Sequence, residues 1–369
     1  MTDQETPSAS VAEDEATMAL IERLHHDAIG ALELYTVYLG EQLGLYRALA
    51  DLGSATSTEL ATRTGTTERL VREWLEHHAT SGLITVDHAA ADPLERSYRL
   101  PPEHIRVLAD PDSVHYEAVK GRDILNAGRG LPQLVEVFRS GTGLRPPPPP
   151  PLELGVGDVN RALYLNVLGK AWLPAIADVD RRLHAEPPAR VADIACGTGW
   201  SSIAMALAYP LITVDGFDLE PARITAATRH AAEVGVAERV TFSVLDAADP
   251  GLAGPYDLVT IFEALHDMPR PVEALAAARA FLADGGSVVV ADENVDETFS
   301  APGSYRDRYA YGWSVVSCLP EAMGDPQTSA TGAVMRPATL RRYAVDAGFR
   351  DVEILPIDNR YFRLYRLVP

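Results

Sequence analysis

The sequence is poor in cysteine, in basic residues and in long apolar runs. Its 369 residues include two cysteines, Cys196 and Cys318, too few for a disulfide scaffold, so a reducing, cytoplasmic setting is predicted. No apolar run reaches the roughly 20 residues that span a bilayer, and the polar, acidic N-terminus lacks the features of a secretory signal. The 32 basic residues against 52 acidic ones leave a formal net charge of −20, which disfavours nucleic acid as a partner.

The sequence does have enough apolar residues, 47%, for packed cores, and its length predicts two domains. Residues 1–16 are predicted to form a disordered acidic tail, residues 17–110 a helical domain, and residues 111–185 a helical connector. The connector contains a proline-rich stretch, 145–155, which is predicted to be an exposed polyproline II loop. Residues 186–369 alternate between strand and helix patterns and form the last predicted domain.

The helical domain contains the pattern of a winged helix. Ser57 precedes a short helix, Thr67 can cap a second helix over Glu68–Ala79, and Leu83–Val86 and Ser97–Leu100 would form the wing. The second helix would enter the DNA groove in such a domain, but it has no excess of basic residues. The domain is therefore predicted to serve packing and dimerisation rather than DNA binding.

The last domain has the alternation of strands and helices that is typical of βαβ units. Such units build a doubly wound α/β fold with a mostly parallel sheet, and the two last strands are expected to pair antiparallel at one edge. Seven strands are predicted: Val191–Ala195, Leu211–Phe217, Val240–Leu245, Tyr256–Phe262, Ser287–Ala291, Val352–Pro356 and Tyr361–Leu367.

A glycine loop, residues 196–199, follows the first of these strands, where a doubly wound sheet binds its ligand. No lysine follows the loop, which excludes a Walker site, and the third glycine of a dinucleotide loop is missing, which makes NAD less favoured. Asp218 ends the second strand and can bind both ribose hydroxyls, and Asp246 ends the third and can accept from an adenine amine. Bare backbone, two acceptors and little positive charge suit a nucleoside with a cationic tail, namely S-adenosylmethionine.

Four stretches in order, VADIACGTGW, VDGFDLE, SVLDAAD and YDLVTIFEALHDM, resemble the class I S-adenosylmethionine-dependent methyltransferases. With the winged helix in front, the chain resembles plant-type O-methyltransferases and a bacterial group of small-molecule methyltransferases that share LGEQLGLYRAL, VREWLEHHATSGL, CLPEAM and YFRLYRL. The resemblance implies a Rossmann-like domain, a homodimer formed through the N-terminal domain, and S-adenosylhomocysteine as product. It implies a cofactor site made of Asp193, Ala195, Gly197, Gly199, Asp218, Leu219, Asp246, Ala247, Phe262 and Glu263.

The candidate catalytic residues are His266, Asp267 and Glu293. His266 and Asp267 follow the fourth strand, and in plant-type O-methyltransferases a His-Asp pair at this place carries the base, so the resemblance implies that His266 is the general base. Asp267 is not expected to orient His266, because adjacent side chains diverge. Asp292 or Glu293, at the end of the neighbouring strand, would orient the imidazole, and Glu293 is favoured.

Aromatic residues in the helical stretches beside the sheet are predicted to build the acceptor pocket, namely Tyr164, Trp172, Tyr309 and Trp313. No clustered ligand spacing predicts a metal. The predicted function is O-methylation of a small-molecule acceptor, an aromatic secondary metabolite. Methylation of carbon or nitrogen, and a winged-helix regulator that senses S-adenosylmethionine, are the alternatives.

Overall fold

The computed structural model of the chain describes residues 9–144, 159–248 and 254–369. It divides into two compact units, Met1–Asn126 and Ala127–Pro369. The predicted connector is therefore divided between them: Ala118 is buried in the N-terminal core, whereas Tyr164 and Trp172 belong to the core of the second unit. Within the described part of the chain, no helix combines the length and the apolar character that crossing a membrane requires.

The N-terminal unit begins with a long helix, α1 (Ala9–Gln42). Residues 9–16 belong to this helix, so the prediction of a disordered tail over 1–16 is wrong for them; residues 1–8 lie outside the described residues. Alanine, glutamate and valine there extend a helical run instead of interrupting it. Three further helices of the unit are α2 (Leu45–Leu52), α3 (Ser57–Thr64) and α4 (Glu68–Thr80).

The predicted winged helix is confirmed. α3 begins with a capping box, in which Thr56 and Glu59 exchange hydrogen bonds between side chain and backbone. The wing consists of β1 (Thr85–Asp87) and β2 (Ser97–Arg99), paired antiparallel. Its first strand begins two residues later than predicted, because the amide of Leu83 donates to His78 O at 2.9 Å and closes the end of α4.

Two helices follow the wing, α5 (Pro102–Leu108) and α6 (Val119–Ser140). The predicted proline-rich loop, 145–155, lies outside the described residues. From residue 159, a short helix, α7 (Arg161–Leu163), continues as a π-helical segment, Tyr164–Trp172, and α8 (Ala177–Leu183) leads to the sheet.

The second unit is built on a seven-stranded sheet, which confirms the predicted fold class. Its strands are β3 (Arg190–Ile194), β4 (Thr213–Asp218), β5 (Val240–Val244), β6 (Tyr256–Phe262), β7 (Leu282–Glu293), β8 (Asp351–Ile354) and β9 (Phe362–Val368). Their order is β5-β4-β3-β6-β7-β9-β8. The first five are parallel, and β9 pairs antiparallel with both β7 and β8, as predicted.

Helices cover the strands of this sheet, as buried parallel strands require. Four of them contact strands: α9 (Trp200–Ala208), α10 (Pro221–Val234), α11 (Pro271–Ala280) and α14 (Pro337–Asp346). Two more helices, α12 (Tyr305–Trp313) and α13 (Leu319–Ala322), follow β7 in the chain. A π-helical segment, Ser314–Cys318, joins α12 to α13. The strand order changes direction at β3, which has β4 on one side and β6 on the other, so the carboxyl ends of these strands form the expected ligand crevice.

Candidate active site

The glycine loop turns the chain from β3 into α9. Gly197 and Gly199 have φ of +55° and +85°, a backbone conformation that favours glycine. A Cβ on Gly199 would lie 2.6 Å from the Phe242 ring, so this position must be bare for the loop to pack on its neighbours. A Cβ on Gly197 would meet nothing within 4 Å, so this residue instead leaves open space where a ligand can approach the backbone.

Asp218, at the end of β4, holds the loop from the neighbouring strand. Its side chain is buried, and its Oδ2 accepts a hydrogen bond from the Gly197 amide at 3.0 Å. Its Oδ1 accepts one from the Glu220 amide at 2.9 Å. A carboxylate has about four acceptor sites, so Asp218 retains capacity for the hydroxyls of a ribose. The next residue, Leu219, is 60% exposed beside it.

Asp193 lies beneath the loop and is 1% exposed. Its carboxylate accepts hydrogen bonds from Ser201 and Ser202, both at 2.6 Å, and from the Thr260 hydroxyl at 2.7 Å. Burial raises the pKa of Asp193, and these three hydroxyls oppose that rise. Asp193 thus ties β3 to α9 and β6, and its role as support for the cofactor loop stays a prediction.

Asp246, predicted to meet an adenine, follows β5. Its Oδ1 accepts from the Ala248 amide at 2.9 Å, and its Oδ2 forms an ion pair with Arg270. Both side chains are about a third exposed. Ala247, the next residue, packs against the hydrophobic core of the second unit. The Arg270 pair was not predicted, and the adenine contact of Asp246 stays a prediction.

His266 is held in a short 3-10 turn, Leu265–Asp267, after β6. The side chain is 2% exposed, and its Nδ1 lies 2.8 Å from Oδ1 of Asp292, which is itself fully buried at the end of β7. The other ring nitrogen, Nε2, lies 3.2 Å from Oδ1 of Asp267, whose side chain is 51% exposed. One buried carboxylate and one accessible carboxylate thus contact the two nitrogens of the same imidazole.

These charges set the protonation of the turn. Burial lowers the pKa of His266, but Asp292 and Asp267 outweigh it, so the pKa lies well above its ordinary value. Partial burial raises the pKa of Asp267, but the neighbouring imidazole holds it below its usual range. The pair therefore shares a proton at Nε2 while Asp267 is in contact.

A family model described as a methyltransferase domain matches residues 186–328, and an Rv2258c-like winged HTH domain matches residues 30–110. A ubiquinone biosynthesis O-methyltransferase of Aromatoleum aromaticum is 30% identical over 181 residues, which cover 48% of this chain and 71% of that protein. The chain belongs to the S-adenosylmethionine-dependent methyltransferases.

Other relatives of this methyltransferase match over shorter shares. The ubiquinone biosynthesis O-methyltransferases of Psychrobacter arcticus and Marinobacter nauticus are 29% and 35% identical over 47% and 28% of this chain. The chain spans 65% and 44% of their lengths, which is less than two thirds of each.

Solved structures share the fold over nearly the whole chain. Human N-acetylserotonin methyltransferase in complex with S-adenosylmethionine has a TM-score of 0.67 at 18% identity and covers 100% of this chain and 99% of its own. PigF with S-adenosylhomocysteine has a TM-score of 0.65 at 20% identity, covering 94% and 99%.

The residues of this methyltransferase fit S-adenosylmethionine. The open space at Gly197 and the remaining acceptor capacity of Asp218 suit the methionyl chain and the ribose. The site is also negative: burial, followed by the charges of Glu263, Asp193 and Glu293, raises the pKa of Tyr164 far above its ordinary value. Grouped carboxylates favour a sulfonium cation over a pyrophosphate.

Two predictions about the 3-10 turn Leu265–Asp267 need correction. Asp292, and not Glu293, pairs with His266, because neighbouring side chains on a strand point to opposite faces and only one can face the turn. Asp267 does contact His266, contrary to expectation, because in the tight 3-10 turn the imidazole reaches far enough for Nε2 to meet the next carboxylate.

The predicted pocket aromatics fall into two groups. Trp172 is 1% exposed and packs against Phe262 and Phe362, at centroid distances of 6.3 and 6.1 Å, so the structure places it in the core rather than in a pocket wall. Tyr164 is also buried and packs on Phe262 at 6.0 Å. Tyr309 and Trp313, one turn apart on α12, are both partly exposed and 6.2 Å apart. Their role as acceptor contacts stays a prediction.

The loop has further neighbours that the sequence did not indicate. The His230 ring stacks on Trp200 at 4.6 Å, and the Arg161 guanidinium lies 4.8 Å from the Trp200 centroid. Glu263 has a φ of +52° and accepts from Asn160. Strained backbone of this kind is enriched at functional sites. No local motif joins these residues, since Arg161 and Trp200 come from separate helices.

Proposed function

We propose that this methyltransferase methylates a hydroxyl oxygen of a small-molecule acceptor, with His266 as general base. The observation that carries the proposal is the buried hydrogen bond between His266 Nδ1 and Asp292, at 2.8 Å. Bound S-adenosylmethionine supplies an electrophilic methyl carbon on a sulfonium sulfur. A neutral hydroxyl is a poor nucleophile, so a base that removes its proton during transfer accelerates the reaction.

Asp292 prepares His266 for this task. Because Asp292 accepts from Nδ1–H, the lone pair of the neutral imidazole lies on Nε2. Asp267 now accepts a proton-bearing contact from that nitrogen, but its side chain is half-exposed and can move away as the proton leaves to solvent, whereas Asp292 is buried and cannot. An acceptor hydroxyl that replaces Asp267 would donate to Nε2, and Asp292 would stabilise the imidazolium that forms.

The loop and its supporting residues bind and orient the cofactor. Asp218 would hold the ribose while it keeps the Gly197 amide in place, and Asp193 keeps the loop rigid from below. Proximity and orientation supply a large share of the acceleration in such displacements. Tyr309 and Trp313, on the helix that leads towards Cys318, would provide apolar contacts for an aromatic acceptor.

Transfer of an isotopically labelled methyl group to a panel of hydroxylated aromatic compounds tests the proposal. His266→Ala should lower kcat by roughly 100- to 10,000-fold and leave S-adenosylhomocysteine affinity within about twofold, since His266 holds no cofactor group. His184→Ala, which changes an exposed histidine of the same unit, is the matched control. Equal turnover of His266→Ala and wild type would contradict the base, and NMR of the product would distinguish methylation of oxygen from that of carbon or nitrogen.

We also propose that the N-terminal unit forms a homodimer through α1. Apolar side chains recur along this helix at steps of three and four or their sums, and each is 42–59% exposed: Ile21, Leu24, Leu32, Tyr35 and Leu39. A stripe at this spacing is typical of helices that pair. Sedimentation analysis should give a dimer, and Leu24→Glu together with Leu32→Glu should yield monomers. A wild-type monomer at micromolar concentration would contradict the proposal.

The charged residues of α4, the second helix of the winged helix, support a role other than DNA binding. On α4, Arg69 and Arg72 are paired with Glu73 and Glu68, and Glu76 pairs with Arg96 of the wing. Phosphate binding would have to displace these partners in a chain of net charge −20. A packing and dimerisation domain accounts for this surface better than a regulator does.

A further inference from the structure

A thiol lies beside the 3-10 turn that holds His266 and Asp267. Cys318 ends the π-helical segment Ser314–Cys318, and its sulfur, a ring nitrogen of His266 and a carboxylate oxygen of Asp267 all lie within 4.8 Å of one another. These are three different ligand types, nitrogen, oxygen and sulfur, converging on one point. The proposed methyl transfer uses the imidazole but leaves the sulfur without a role.

We propose that His266, Asp267 and Cys318 form a binding site for a zinc-like divalent cation. Zinc takes nitrogen and oxygen ligands at about 2.0–2.2 Å and thiolate sulfur at about 2.3 Å in a tetrahedron, which sets ligand atoms roughly 3.3–3.7 Å apart. The observed distance between His266 Nε2 and the Asp267 oxygen, 3.2 Å, is already close to the distance between two ligand atoms in such a tetrahedron. A shift of the Cys318 sulfur by about 1 Å would complete three corners.

The surroundings of His266 are those of a metal ligand. Histidines that bind metal usually donate their other ring N–H to a carboxylate, which fixes the ring and the tautomer. Asp292 plays this part at Nδ1, at 2.8 Å and with 1% of its side chain exposed. The half-exposed Asp267 leaves a path for the ion from solvent.

The ligand set selects the kind of ion. One thiolate, one carboxylate and one imidazole carry two negative charges, which a divalent ion neutralises. The thiol proton and the proton that His266 and Asp267 share at Nε2 are both released to solvent on binding. Sulfur and nitrogen suit zinc or cobalt, whereas magnesium and calcium require oxygen ligands. Three protein ligands leave a fourth position for water or another small ligand.

Occupation of this site would inhibit methyl transfer, because the ion binds the same Nε2 lone pair that the base uses. This consequence rests on the proposed function, but binding itself does not. Sequence spacing gave no sign of the site, since Cys318 lies in a different helical segment from the His-Asp pair.

Cobalt is the probe, because a thiolate bound to Co²⁺ gives a charge-transfer band in the near ultraviolet. The full chain, freed of metal with a chelator, is titrated with Co²⁺ and then with Zn²⁺. Wild type should develop the band with one equivalent of Co²⁺ and lose it to Zn²⁺. Cys318→Ser should not develop it, whereas Cys196→Ser, the matched change at the other cysteine, should.

Two further measurements keep the test decisive. S-adenosylhomocysteine binding by Cys318→Ser checks that the variant is folded, and Asp267→Asn, at a half-exposed position, should weaken Zn²⁺ binding at least tenfold in calorimetry. No band in wild type, or a band that survives Cys318→Ser, overturns the site whatever the turnover of His266→Ala. A band in wild type together with an active His266→Ala would leave the metal site and overturn the base.

Discussion

Protonation of one buried histidine should control the acid stability of the N-terminal unit. His78, on α4, is fully buried, and its Nε2 lies 2.6 Å from the Tyr46 hydroxyl, with the Trp74 ring 4.1 Å away. Burial, with a smaller effect of the neighbouring His77, lowers the pKa of His78 to about 3. The folded unit therefore keeps this imidazole neutral where an unfolded chain would already protonate it.

The size of the effect follows from the two pKa values. The unfolded chain binds the proton near pH 6.5 and the folded one near pH 3, so stability is complete above pH 6.5 and is lost as pH falls below it. Between pH 7 and pH 5 the loss is about 2 kcal/mol, since each pKa unit corresponds to about 1.4 kcal/mol. Protection of the α4 amides should fall roughly 30-fold over this range.

Hydrogen exchange followed by mass spectrometry on peptides from α4 measures this loss, after correction for the intrinsic pH dependence of exchange. His78→Gln, which can still hydrogen-bond Tyr46 but does not titrate, should lose about 2 kcal/mol less than wild type between pH 7 and pH 5. His25→Gln, a change at an exposed histidine of α1, should behave as wild type. Equal losses in wild type and His78→Gln would refute the assignment.

Three further predictions concern the second unit. Gly197→Ala and Gly235→Ala both place a Cβ at positive φ with open space around it, so each should lower the stability by about 1 kcal/mol. Only Gly197→Ala should weaken S-adenosylhomocysteine binding in calorimetry. Equal affinities of the two variants would contradict the assignment of the glycine loop to the cofactor. Asp292→Asn should lower kcat far more than Asp267→Asn, because only Asp292 is buried behind the imidazole; the reverse order in a turnover assay would reject Asp292 as the orienting residue. Asp193→Ala leaves three buried hydroxyls without their acceptor and should destabilise the unit by about 3 kcal/mol in urea unfolding; a loss below 1 kcal/mol would contradict its support of the loop.

The sequence by itself determined the two folds and the ligand crevice. These features follow from local patterns, namely those of the winged helix, of the strands along the chain and of the glycine loop. Apolar runs mark buried parallel strands, and a loop that must adopt positive φ needs glycine. Asp218 could be predicted for the same reason, because a residue that ends a parallel strand must lie at the crevice, whereas Asp193 was implied only by the family resemblance.

Only the tertiary structure decided which side chains meet there. The choice between Asp292 and Glu293 depends on which face of β7 each residue takes, and a shift of one residue reverses it. In the sequence, Trp172 is an aromatic residue in a helical stretch beside the sheet, as a pocket residue would be. The packing of that helical stretch places its side chain in the core instead. Cys318 reaches His266 because a separate helix returns to the same crevice, a contact set by the folding of distant segments and by no spacing along the chain.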